Sequence, residues 1–214
     1  MKFSSMLCVA MLLAGSPLLA WTTYLDFECA MTNAVLDRRM ASNVTFTNQL
    51  AAFLAAPLDG ATSNTAAFVQ TACFFARFNE TMDQDQLLMG LQEVSNLCSN
   101  AQIEESDWVF WGGRLMWTMG CFLNNDDSGA YQVASNMYVR SQNVNLPCDT
   151  NLVLRAFLEL NNMKNVSLHD AILLGRGTAA AGLKMTNEVE AICNQLPDRL
   201  GNELRAILNA QNYW

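Results

Sequence analysis

The chain contains a single histidine, His169, and that scarcity removes several chemistries at once. Metal centres built on several imidazoles need more than one such ligand, and catalysis by a histidine base has only this residue to use. No Gly-x-Ser-x-Gly elbow, no Cys-x-x-Cys pair and no Gly-Lys-Ser/Thr phosphate loop occurs, so the usual hydrolase, redox and nucleotide signatures are missing. The sequence carries no cofactor or metal motif, and an enzyme is not expected. Basic residues are also few, 12 against 20 acidic ones for a net charge of −8, and only Arg38-Arg39 stand together. Nucleic acid and anionic membranes are poor partners for that balance. Nothing after the first 20 residues reaches the roughly 18 to 20 uninterrupted apolar residues of a membrane span, so no transmembrane anchor is expected.

What the chain does have begins with a leader. Met1-Lys2 precedes an apolar core from Met6 to Leu13, followed by Gly15-Ser16-Pro17 and the small residue Ala20, which is the order of a secretory signal peptide. Residues 1–20 are read as that signal and residues 21–214 as one domain, with Trp21 first. Cleavage there takes Lys2 and leaves 11 basic against 20 acidic residues, a charge of −9. A chain of this size buries about 70% of its unfolded surface. The expected location is extracellular.

Cys8 leaves with the leader, and six cysteines remain: Cys29, Cys73, Cys98, Cys121, Cys148 and Cys193. An even number in a secreted chain suggests three disulfides, for which fifteen pairings exist. Asn43-Val44-Thr45, Asn79-Glu80-Thr81 and Asn165-Val166-Ser167 are glycosylation sequons, and Asn43, Asn79 and Asn165 all fall where breaks between helices are expected.

Apolar residues recur at three and four positions in segment after segment, with almost no period-two alternation, so the fold class is all-α. Helices are expected over about 22–41, 46–56, 64–78, 83–98, 106–123, 128–141, 150–162, 167–183, 186–196 and 198–211, a compact disulfide-stapled bundle of eight to ten. Leu87, Leu91, Val94 and Cys98 make one core-facing stripe, and Val189, Ile192, Cys193 and Leu196 another. Thr186 is placed as a cap, Ser167-Leu168-His169-Asp170 as an abbreviated capping box, and Asn124-Asn125-Asp126-Asp127 as a polar turn that caps the next helix. That turn is not a calcium loop, because its twelfth position is Ser135 where a bidentate glutamate is required.

The densest segment runs from Trp108 to Leu123. On a helical wheel Trp108, Trp111, Leu115, Met119 and Phe122 share one side, and Phe110, Gly113, Trp117 and Cys121 the other. A helix apolar all round is buried all round, which makes it the centre of the core. Its mixture of very large and very small residues, with nine methionines outside the leader, also suits the wall of an adaptable apolar pocket. Trp108, Trp111, Arg114, Leu115, Trp117, Met119 and Phe122 would then meet the ligand. Arg114 in such a segment needs a carboxylate, an escape to solvent, or an acidic group on a ligand. A structural ion pair is the expected solution.

His169-Asp170 resembles the His-Asp pair of secreted phospholipases A2, but neither the preceding double cysteine nor the glycine-rich calcium loop is there to complete it. In general layout, six cysteines and helical content, the chain resembles the secreted six-cysteine helical carriers of arthropods, the odorant-binding and salivary families. It departs from their Cys-x-x-x-Cys spacing, since Arg77 stands four residues after Cys73. The resemblance implies a carrier or modulator in saliva, haemolymph or reproductive secretion. Two functions follow as expectations: binding of a small apolar ligand, lipid or hormone-like, beside the central helix, or recognition of an extracellular protein receptor through an acidic, glycosylated surface over a filled core.

Overall fold

The computed structural model of the protein describes residues 60–142 and 166–212. Seven helices occupy them: α1 (Gly60–Thr81), α2 (Gln84–Ser99), α3 (Trp108–Leu123), α4 (Asp127–Ser141), α5 (Leu168–Gly182), α6 (Thr186–Cys193) and α7 (Asp198–Asn212). No strand occurs among the described residues, so the all-α expectation holds. The leader, the helices expected over 22–41, 46–56 and 150–162, and Cys29, Cys148, Asn43 and Asn165 lie outside the described residues. No described helix is long and apolar enough to cross a membrane.

Neighbours in sequence are neighbours in space. α1 packs on α2, α2 on α3, α3 on α4, α5 on α6 and α6 on α7, while α4 and α5 lie together and α3 also touches α1 and α5. Phe75 of α1 meets Gly90 of α2, and Leu91 and Leu97 of α2 meet Gly120 and Gly113 of α3. These pairings set α2 antiparallel to α3, and with the Asn100 side chain bonded to Asn64 they set α1 antiparallel to α2. Gly182, at the end of α5, lies against the Asp127 carboxylate at the start of α4. The turns α1–α2, α3–α4 and α5–α6 therefore share one end of the bundle.

Caps set most of the boundaries. Asp83, Asp107 and Asp126 each accept a backbone N–H in the first turn of the helix that follows, satisfying donors that a helix start leaves unpaired. Ser167 accepts from the Asp170 backbone N–H and its hydroxyl donates to the Asp170 carboxylate. Thr186 is not a cap. α6 begins at Thr186, its cap position is Met185, and no side chain bonds there. α1 is longer than expected at both ends, which puts Asn79 in its exposed last turn and not in a break between helices.

The core face of α2 is turned from the expected stripe, with Leu87, Gly90, Val94 and Leu97 buried and Leu91 and Cys98 half-buried. Gly90 causes this. A Cβ there would stand 2.7 Å from the Phe75 ring, and one at Gly120 would meet the same ring at 2.7 Å. Phe75 thus fills a slot between two glycines on two helices, a site where backbones approach because side chains are absent. On α5, Gly177 makes room for Leu204 of α7, and on α7 Gly201 lies so close that a Cβ would stand 2.8 Å from the Cys193 carbonyl oxygen.

The three turns at the shared end have a common peculiarity. Met82, Asn125 and Lys184, one in each turn, are the described non-glycine residues with positive φ, at 56°, 55° and 58°. Left-handed backbone costs an L-residue about 1–2 kcal/mol, and glycine is the residue that helix ends commonly place there. Met82→Gly and Lys184→Gly should each stabilise the fold by about 0.5–1 kcal/mol after the extra unfolded-state entropy of glycine is deducted. Thermal melts should rise by about 1–4 °C for each substitution.

Candidate functional site

The central helix α3 carries every residue expected to meet a ligand, and the fold disposes of them in two ways. Trp111 and Leu115 are inside the core, Trp111 with none of its surface exposed. The Trp111 indole N–H donates to the Glu105 carbonyl at 2.8 Å, which supplies the partner that a buried indole requires. Trp108, Trp117, Met119 and Phe122 are half-buried. Trp108 stands edge-on to Phe68 of α1, ring centroids 5.0 Å apart, and Trp117 and Phe122 pack on a small cluster of Cys121, Ala130 and Ala179.

Arg114 does not make the expected ion pair. Its guanidinium donates to the Phe110 carbonyl at 3.0 Å and the Cys98 carbonyl at 3.1 Å, and its Cζ lies 3.5 Å from the Phe110 ring centroid. Burial lowers its pKa from the usual arginine value. Carbonyls and a ring face take the place of a carboxylate, because Glu105, the acidic residue near it, is paired with Arg140. The glycines beside Arg114 are also occupied: Gly113 faces Leu97 and the Cys98 sulfur, and Gly120 faces Phe75 and Leu91.

The cysteines depart from expectation. Cys73, Cys98, Cys121 and Cys193 are all free thiols, so the described part of the bundle is not disulfide-stapled. Helix packing explains why no two of them meet. Cys73 precedes Phe75 by two positions, about 200° around α1, and so points away from the slot that joins α1 to α2 and α3. Cys98 lies beside Gly113, Cys121 in the cluster with Ala130 and Ala179, and Cys193 donates to the Gly201 carbonyl. Burial pushes the Cys73 thiol up to about 12 and those of Cys98 and Cys121 to about 11, and it raises Cys193 as well. Such thiols are poor nucleophiles.

Two results should follow. With these four free, a chain without residues 1–20 has only Cys29 and Cys148 left to pair with each other, so its intact mass should fall short of the fully reduced value by at most two hydrogens. Iodoacetamide at pH 8 should leave Cys73, Cys121 and Cys193 unmodified until denaturant is added. A native chain short by more than two hydrogens, or rapid alkylation of these thiols, would overturn this packing.

A second constellation, which the sequence did not signal, joins α4, α5 and α6. Tyr131 and Tyr138 of α4 donate their hydroxyls to Glu188 of α6 at 3.4 Å and to Gln195, just beyond α6, at 3.0 Å. Between them Arg176 of α5 pairs with Glu188, and its Cζ lies 4.7 Å from the Tyr138 ring and 5.9 Å from the Tyr131 ring. His169, seven residues before Arg176, lies 6.0 Å from Tyr138. Each helix contributes polar residues seven apart, so the contacts repeat every two turns as rungs. Arg176 Nε and the hydroxyl of Ser135, which lies between the tyrosines in sequence, are buried with no hydrogen-bond partner among the described residues. The seven-residue spacing was the available signal, but polar residues on a helix usually face water, and only the tertiary fold brings these face to face.

Among the described residues no three histidine, cysteine, aspartate or glutamate side chains gather as metal ligands. The arrangement contains packed aromatic side chains, satisfied or paired cations and protonated thiols. No family model matches the chain, and neither the curated proteins nor the solved structures contain a match for it.

Proposed function

We propose that the protein is a secreted helical effector that acts by binding another extracellular protein, with no small ligand in its core. The observation that carries this reading is the occupation of α3 by the protein itself. The spaces beside Gly113 and Gly120 are filled by Leu97, Cys98, Phe75 and Leu91, Trp111 is sealed and hydrogen-bonded, and Arg114 is spent on two carbonyls and a ring. A net charge of −8 favours a partner with a basic surface, since opposite potentials steer encounter.

The small-ligand reading has one observation on its side. Trp108, Trp117, Met119 and Phe122 keep part of their surface uncovered, and an apolar molecule could lie along them. Native mass spectrometry of the full chain secreted from cultured cells and deglycosylated separates the two. Protein recognition predicts a bare chain whose tryptophan fluorescence ignores added oleic acid and steroid. A co-purifying mass of a few hundred daltons, or saturable quenching by either probe, would replace this proposal with the carrier function.

A further inference from the structure

Six large apolar side chains are exposed among the described residues, and five of them lie at one end of the bundle. Leu88 and Met89 are on the solvent face of α2 at 58% and 50% exposure, Met82 is in the turn before it at 66%, and Leu183 and Met185 are in the α5–α6 turn. Val139 on α4 is the sixth. The antiparallel pairing of α1, α2 and α3 sets Leu88 and Met89 level with the end of α3, and Gly182 against Asp127 brings the α5–α6 turn to the same place. Single exposed apolar residues are ordinary, but their concentration at one end marks an interaction site.

Acidic residues predominate at this end, with Asp83, Asp85, Asp126 and Asp127 in its turns and first helical turns against Arg77 and Lys184, and α2 contains no lysine or arginine. Methionines within an acidic rim suit an apolar segment with basic flanks, because thioether side chains adapt to the buried face while the rim steers and orients the cations. We propose that the end of the bundle formed by the α1–α2, α3–α4 and α5–α6 turns is the docking surface, and that its occupant is a basic amphipathic helix of the partner protein. This rests on the protein-recognition reading and assigns it a place.

The test titrates a synthetic amphipathic peptide of leucine and lysine into the full chain, into Leu88→Ser/Met89→Ser, and into Val139→Ser as a control for exposed apolar surface elsewhere. Circular dichroism melts verify that each variant is folded. The expected result is saturable binding that weakens with added salt, at least tenfold weaker in the double variant and unchanged in Val139→Ser. Binding of equal strength to the double variant, or none to the parent chain, would overturn the surface while leaving protein recognition to be judged by native mass spectrometry. A dimer of the parent chain by light scattering that Leu88→Ser/Met89→Ser converts to monomer would instead assign the end to a second copy and overturn the proposed occupant.

Discussion

Phe75→Ala is expected to cost about 3–5 kcal/mol of stability, the range for removing a buried phenylalanine from a core that relaxes only in part. The slot makes the upper half of that range the expectation. Phe75 is inserted between Gly90 of α2 and Gly120 of α3, so its loss leaves a gap bounded on two sides by helix backbone, which cannot collapse as a flexible side chain would. Gly120→Val approaches the same contact from the other direction. A Cβ at Gly120 would stand 2.7 Å from the Phe75 ring and 2.9 Å from Leu91, so overpacking should cost about 1–3 kcal/mol or more. Urea unfolding followed by far-UV circular dichroism reads both. A Phe75→Ala variant within about 1 kcal/mol of the parent would show that the three helices do not meet at this ring.

Trp111→Ala should be of similar size, about 3–5 kcal/mol, because Trp111 is the largest fully buried side chain of the described core. The more informative variant is Trp111→Phe. It keeps most of the apolar volume but removes the indole N–H and leaves the Glu105 carbonyl without its donor, for an expected loss of about 1–3 kcal/mol. The difference between the two variants separates volume from hydrogen bonding. If Trp111→Phe were as damaging as Trp111→Ala, the Glu105 contact would be holding the loop between α2 and α3 as well as satisfying the ring.

Local features were legible in the sequence, and relations between helices were not. The cap at Ser167 and the polar turn at Asp126 depend on residues within three positions of one another, so the chain states them directly. The apolar content of α3 announced a central helix for the same reason. What Gly90 and Gly120 accommodate, by contrast, shows only in three dimensions, where Phe75 lies between them. Arg114 found carbonyls because the last turn of α2 leaves the Cys98 carbonyl open and its own side chain folds back one turn to Phe110, relations that a residue count cannot reveal. The four described cysteines form no staple, because an even number of cysteines implies pairing only when the fold brings sulfurs together, and Cys29 and Cys148 lie outside the described residues. The exposed end was hidden for a similar reason, since Met82 and Met89 stand far from Met185 in the chain and come to the same end only through antiparallel packing.

The rungs between α4 and α6 have a consequence for local unfolding. α6 is eight residues long and has no side-chain cap, far below the length at which a helix holds itself together in water. Its order is borrowed from α5 and α7, against which it buries Val189 and Ile192, and from its polar contacts with Tyr131, Tyr138 and Arg176. The backbone amides of α6 and those around Tyr131 to Tyr138 should accordingly exchange with deuterium as one cooperative unit, and Arg176→Gln should raise the exchange rates of both segments together while those around Phe75 and Trp111 hold their protection.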